Sequence, residues 1–200
     1  MLPKTNSRLC RVCHFSQLKN VRFHLGTLMS FTISKNITLS PITLLDAEDL
    51  LDLVESSRKN LRKYLPWVDS VKDLESTKEY ISKRINSELF GAEWYTVLFS
   101  GSICGIFSIK SITEEKSIAE IGYWLSNHVH GNGVINLIIL KLSGYLKNEM
   151  GVKALEFRCL EQNIASIKIA LRSGAKFVRT HEHIEINNSK QALNIYRAQL

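Results

Sequence analysis

The stretch from Ile118 to Leu160 constrains this chain most. It reads as IAEIGYWL, then a loop containing HVHGNG, then an apolar-striped segment from Val134 to Met150, then ALEFRCL. Strand, glycine turn, helix and strand in that order make a βαβ unit. The strands over 118–125 and 154–160 are therefore predicted to be parallel neighbours joined by a right-handed crossover. The helix follows from Val134, Ile135, Ile138, Leu142, Tyr145 and Leu146 at three-and-four spacing, with Gly151 as its stop. Along the first strand, Glu120, Gly122 and Trp124 share one face, and Ile121, Tyr123 and Leu125 the other.

The remaining elements fall around this unit. A first strand is expected from Ile33 through Ile37 and Leu39 to Pro41 or Ile42. Asp46 opens a helix with Ala47, Leu50, Leu51 and Val54 on one face. Asn60–Tyr64 reads as a short helical turn halted before Pro66. Asp73 or Ser76 caps a further helix carrying Tyr80, Ile81, Ile85 and Leu89, ended by Gly91. Trp94–Phe99 and Ile103–Ile109 make a hairpin about Ser100-Gly101. A short helix over Ala165–Ser173 ends at Gly174, and strands over Lys176–Thr180 and Leu193–Ala198 close the chain. The expected fold is α/β: a central mixed, mostly antiparallel sheet of about seven strands with helices on both faces.

Charge excludes one broad class. The net charge is +7, but residues 1–28 hold Lys4, Arg8, Arg11, Lys19 and Arg22 and no acid, leaving +2 for residues 29–200. A body so close to neutral does not read as a nucleic-acid binder. Met29 followed by SFTISKNITLSPIT reads as a natural start, so residues 1–28 read as a leader, an upstream-start extension or disordered segment, with an Arg-rich targeting segment as the alternative, and residues 29–200 as one domain. CRVCH in the leader matches a haem-attachment string, but no apolar export segment precedes it. Cys104 and Cys159 sit in apolar strands, and four cysteines without framework spacing point to a reducing, cytoplasmic setting. The longest apolar run is too short to cross a bilayer, and no metal site is expected.

Gly131 and Gly133 stand where a strand hands over to a helix. Glycines there let backbone N–H groups turn inward, and the helix start adds unpaired N–H groups and the positive end of its dipole. The product is a cradle for a phosphate or pyrophosphate, or else a plain tight turn. A P-loop would need Lys-Ser/Thr after the last glycine, where this chain has Val134. A dinucleotide fingerprint would need a third glycine, where it has Asn136. The frame that fits is Gln/Arg-x-x-Gly-x-Gly/Ala, the acyl-CoA loop of the GNAT acetyltransferases, with His128 in the first position.

Together, HVHGNG, EIGYWL before it, NIASIKIALRSGAKF after it and LRKYLPWVDSVKDLESTKEYI upstream resemble the RimL-type branch of the GNAT superfamily over residues 30–200. These are ribosomal-protein N-terminal acetyltransferases and their relatives. The resemblance implies a GNAT fold and transfer of acetyl from acetyl-CoA to an amine. The acceptor it implies is a protein N-terminus, with a polyamine, amino sugar or antibiotic as the alternative small amine. A non-catalytic acyl-CoA sensor is a third reading, which Glu120 and Ser166 together argue against. A homodimer is a further implication.

The resemblance also carries over to residues. The pyrophosphate would sit on His130, Gly131, Asn132, Gly133 and the helix start at Val134. Asn132 stands where relatives often have a cation, and Lys168 and Arg172 are candidates to supply one, for the CoA 3′-phosphate. The pantetheine arm would run along Ile121, Gly122 and Tyr123 in the gap between the parallel strands, held also by Asn163. The Tyr123 N–H would serve the oxyanion, Glu120 the amine proton, and Ser166 the leaving sulfur. Ala170 stands where many GNAT enzymes have a tyrosine. Pro66 and Trp67 fall on the acceptor wall, beside Glu120.

Overall fold

The computed structural model describes residues 29–186 and 189–200; the leader expected at 1–28 lies outside them. The chain begins with a short hairpin, β1 (Phe31–Ser34) and β2 (Ile37–Pro41). The single first strand expected from Ile33 is thus two strands, because Lys35 and Asn36 turn the chain back on itself. Helix α1 (Ala47–Leu61) follows a 3₁₀ turn whose Asp46 side chain accepts from the Thr43 backbone N–H at 2.7 Å. The helical turn expected at Asn60–Tyr64 is not separate: its first residues are the end of α1, and the Leu65 N–H still bonds back to the Leu61 carbonyl at 2.9 Å. A 3₁₀ turn over Pro66–Ser70 leads to α2 (Leu74–Ile85), capped by Asp73, whose carboxylate accepts from the Ser76 N–H at 2.8 Å. Helix α2 stops six residues short of Gly91, which belongs to the turn into the next strand. Of the face expected for α2, Tyr80 and Ile81 are buried, whereas Ile85 is exposed and Leu89 lies beyond the helix.

Strands β3 (Glu93–Phe99), β4 (Ser102–Ile112) and β5 (Ile118–Leu125) form an antiparallel meander. Helix α3 (Val134–Asn148) crosses to β6 (Ala154–Leu160), which pairs with β5 in parallel, Ile118 opposite Ala154 through Ile121 opposite Phe157. Helix α4 (Ile164–Arg172) and the long hairpin β7 (Lys176–Ile186) and β8 (Ser189–Gln199) complete one eight-stranded sheet in the order β1-β2-β3-β4-β5-β6-β8-β7. The last two strands are longer than expected. Their polar alternation hides them, since most of β7 is exposed.

Two cores sandwich the sheet. On one face Leu50, Val54, Val68, Tyr80 and Ile81 of the first two helices and the turn between them pack with Ile106 and Trp124. On the other, Val134, Ile135, Ile138, Leu142 and Leu146 of α3 and Ala170 of α4 pack with Phe107, Ile121 and Phe157. The alternation of β5 decides which residue faces which core: Trp124 joins the first and Ile121 the second. Among the described residues no helix is long and apolar enough to span a membrane.

Candidate active site

Pairing between β5 and β6 stops at Ile121 and Phe157, so the carboxyl-terminal ends of the two strands part. A cavity of about 270 Å³ opens at the gap. It takes residues from both faces of the sheet: Trp67, Tyr80, Arg84, Trp94 and Glu120 from the α1/α2 side, and Tyr123, Phe157, Asn163 and Ser166 from the α3/α4 side. The opening through the sheet therefore joins two surfaces that a continuous ladder would separate.

The backbone at the gap is aimed into it. The Ser126 N–H donates to the Cys104 carbonyl on β4, and the register from there to Ile121 is unbroken. Successive residues point their backbone groups to opposite sides of a strand. Gly122 and Trp124 therefore face β4, while Ile121 and Tyr123 face β6, and at Tyr123 no β6 residue pairs with it. Gly122 permits a close approach: a Cβ there would meet Ser108 Oγ at 2.8 Å and Lys110 Cδ at 2.9 Å. The Ser108 hydroxyl also donates to the Gly122 carbonyl at 3.2 Å.

Glu120 is 8% exposed and its two oxygens have different partners. Lys110 Nζ lies 2.6 Å from Oε1 and Arg158 Nε 3.2 Å from Oε2. Lys110 reaches it because the β4–β5 register shifts between Ile109, opposite Ile121, and Ser111, opposite Glu120. Such a bulge redirects a side chain. Arg158 also bonds Glu156 at 2.9 Å, and Glu156 accepts from Arg197 at 2.8 Å. Burial works to raise the Glu156 pKa, but the bonds from Arg197 and Arg158 outweigh it and hold the carboxyl below its ordinary range. Neither Lys110 nor Arg158 was singled out by sequence. The signal available was a basic residue interrupting an apolar strand, as in ALEFRCL, but register across three strands was needed to read it.

On the far side of the gap, Asn163 caps α4, its side-chain oxygen accepting from the Ser166 N–H at 3.2 Å. The Tyr123 hydroxyl donates to the Ser166 carbonyl at 3.4 Å. Burial, with Cys159 adding to it, drives that phenol well above its usual range, so it stays protonated. Cys159 also lines the cavity, and burial pushes its thiol up to about 12, so it is no thiolate nucleophile at neutral pH.

The wall on the α1/α2 side is aromatic. The Trp67 ring centroid lies 4.4 Å from that of Tyr80 and 5.9 Å from that of Trp124. Pro66 starts the 3₁₀ turn that presents Trp67 but is itself exposed and outside the cavity lining.

The glycine loop does not line this cavity; it continues from the carboxyl end of β5 to the start of α3. His128 Nδ1 lies 2.9 Å from Ser126 Oγ, His130 Nε2 lies 3.1 Å from the Leu125 carbonyl, and Asn132 Nδ2 donates to the Val129 carbonyl at 3.2 Å. Gly133 is the N-cap of α3 in the left-handed region, φ 68° and ψ 13°. A Cβ added at Gly131 or Gly133 would meet nothing within 4 Å, so the surface above both is open. This is the geometry an anion needs at a helix start. Lys168 and Arg172 are exposed on α4 and form no ion pair among the described residues. An acyl-CoA fits this arrangement: an open glycine turn for the diphosphate and an unpaired strand edge for the amide arm.

Comparison with known proteins places the chain in a family. Residues 36–176 match the model of the acetyltransferase (GNAT) domain family. A putative ribosomal N-acetyltransferase of Bacillus subtilis, YdaF, is 29% identical over 121 residues, 59% of this chain and 66% of that one. The ribosomal-protein-serine acetyltransferase of Escherichia coli is 22% identical over 166 residues, 82% of this chain and 93% of that one. Among solved structures, a RimL ribosomal-protein alpha-N-acetyltransferase in complex with coenzyme A superposes with a TM-score of 0.79 at 20% identity, covering 86% of this chain and 98% of that one.

Proposed function

This chain belongs to the GNAT acetyltransferase family, and from that premise we propose that it moves acetyl from acetyl-CoA to the N-terminal amine of a protein, a ribosomal protein in the first instance. The observation that carries this reading is the cavity through the β5/β6 gap, which sets Glu120 and an aromatic wall on one face against Asn163 and Ser166 on the other. Two substrates approaching from opposite faces can meet there. The names of the relatives in Bacillus subtilis and Escherichia coli support the choice of acceptor.

Acetyl-CoA supplies a thioester carbonyl. The open turn at His130–Gly133 and the start of α3 at Val134 would hold its diphosphate, with His128 at the loop's entry and Lys168 or Arg172 near the ribose phosphate. The pantetheine arm would lie against Gly122, just past Ile121, the last β5 residue that β6 pairs with, with an amide N–H on the Tyr123 carbonyl. Asn163 spends its oxygen on the α4 cap, leaving its amide N–H groups for a pantetheine carbonyl.

An ammonium cannot attack until it loses a proton. Glu120 is the carboxylate placed to take it, with Lys110 and Arg158 fixing the orientation of its two oxygens. Attack on the thioester carbon builds negative charge on the carbonyl oxygen, and the Tyr123 N–H, facing the unpaired edge, donates to it. The C–S bond then breaks, and Ser166 gives the leaving thiolate a hydrogen bond. Attack by the amine is direct, through a tetrahedral intermediate; burial raises the lining thiol of Cys159, which is no ready nucleophile. Trp67, presented by Pro66, packs against the acceptor. The protein works in the cytoplasm, where ribosomal proteins are made, and as a homodimer.

The test is a thiol-release assay with acetyl-CoA and N-terminal peptides of ribosomal proteins, run beside spermidine, an amino sugar and an aminoglycoside. Peptides are expected to release thiol and gain 42 Da, about the mass of one acetyl group less a hydrogen, on the α-amine alone. Turnover confined to a small amine would replace this reading with the small-molecule one.

A further inference from the structure

The cavity wall holds a cation that no carboxylate among the described residues pairs with. Arg84, in the last turn of α2, points its guanidinium into a box of three rings: its Cζ lies 3.2 Å from the Tyr80 centroid, 4.9 Å from Trp94 and 5.7 Å from Trp67. Nη1 donates to the Tyr80 carbonyl at 2.8 Å. Nε is buried with no hydrogen-bond partner, and among the described residues no carboxylate pairs with Arg84. Its polar companion is the Tyr80 phenol, which burial keeps protonated. Ring faces offset part of the cost of burying the charge, but Nε is left without a hydrogen-bond acceptor.

The neighbouring charges do not answer it either. Among the described residues, Lys110, Arg158 and Arg197 pair with two carboxylates, Glu120 and Glu156, so that network carries one surplus positive charge. Arg84 adds a second on the same cavity wall. A wall of this sign repels a second ammonium on the acceptor. It also favours the neutral form of the attacking amine, and it attracts an anion.

We propose that Arg84 is a specificity-determining residue that receives an anionic group of the acceptor, so that the acceptor class is an amine bearing a carboxylate or phosphate close to its nitrogen. A cavity of about 270 Å³ is on the order of 10 Å across, roughly three extended residues. If the acceptor is a protein N-terminus, as proposed above and as this inference assumes, the anion is an acidic side chain at its second or third residue. The guanidinium's planar fork suits a carboxylate. Dicationic acceptors such as polyamines are disfavoured by the same field.

The experiment compares kcat/KM for N-terminal peptides identical except at residues two and three, which carry Glu and Asp, Gln and Asn, or Lys. An aminoalkyl phosphate and spermidine are run alongside. In the wild-type enzyme the acidic peptide is expected to exceed its amide counterpart at least about tenfold, with the lysine peptide and spermidine lowest. In Arg84→Gln the acidic peptide falls to the amide level while the KM for acetyl-CoA holds. Arg84→Lys keeps part of the preference. Equal rates for acidic, amide and basic peptides in the wild type overturn the proposal, whether or not Arg84→Gln folds; so does an equal loss on all acceptors in that variant. If only the aminoalkyl phosphate is turned over, and Arg84 is needed for it, the anion site stands and the protein-N-terminus reading fails. If no amine is acetylated, both fail.

Discussion

At the scale of single residues, Glu120 carries the sharpest claim. A carboxylate inside an apolar strand was legible in IAEIGYWL, and so was the side of β5 on which it would lie. Its partners were not. Trp124 shares the cavity with it, as the apolar company expected from the sequence. Lys110 and Arg158 arrive from β4 and β6 through a bulge and a parallel register, which no local pattern encodes. Arg84 was invisible for a similar reason. On a helical wheel it is one more basic residue in a last turn, and only the packing of Trp67, Trp94 and Tyr80 around it sets it apart. Glu120→Gln keeps the shape and removes the base. Turnover at neutral pH is expected to fall about 100-fold, the lower range for a positioned proton acceptor. The deficit should shrink as pH rises and solvent deprotonates the amine. A pH–rate profile parallel to that of the wild type would take the base role from Glu120.

At the scale of elements, periodicity located nearly every helix and strand, because each buries one stripe against one of two cores. Strand β6 was read with its observed ends, and α3 to within two residues at its carboxyl end. The misses have physical causes. A two-residue turn split the first strand. The polar sequence of β7 concealed a strand that is mostly solvent-exposed. A glycine six residues past α2 looked like its stop. The glycine turn into α3 yields an element-scale prediction. Gly133 sits at φ 68°, yet a Cβ there would touch nothing. Gly133→Ala therefore costs only the left-handed backbone penalty, about 1–2 kcal/mol, with no packing loss. Calorimetry should find that modest destabilisation, whereas the KM for acetyl-CoA should rise at least tenfold, because the methyl group projects over amides reserved for the diphosphate. An unchanged KM would leave the loop as a turn and nothing more.

At the scale of the molecule, the two cores meet across a sheet that is open at one place. The β5/β6 gap removes ladder hydrogen bonds from the middle of an eight-stranded sheet, between its antiparallel meander and its carboxyl-terminal hairpin. A ligand that lies along the free edge of β5 and bonds the start of α3 ties these halves together, and the native state gains what the unfolded chain cannot. At a free concentration one hundred times its dissociation constant, a ligand of the native state stabilises by about 2.7 kcal/mol. For a chain of 200 residues that corresponds to a rise in Tm of about 5–10 °C. Acetyl-CoA and CoA should both produce it, since diphosphate and pantetheine are common to them, and 3′-dephospho-CoA should produce most of it if Lys168 and Arg172 contribute only at the surface. Hydrogen exchange should locate the gain at the amides of 131–136 and of Tyr123, with α1 little changed. A shift of the same size without protection at those amides would place the nucleotide elsewhere on the molecule and leave the gap through the sheet without its proposed occupant.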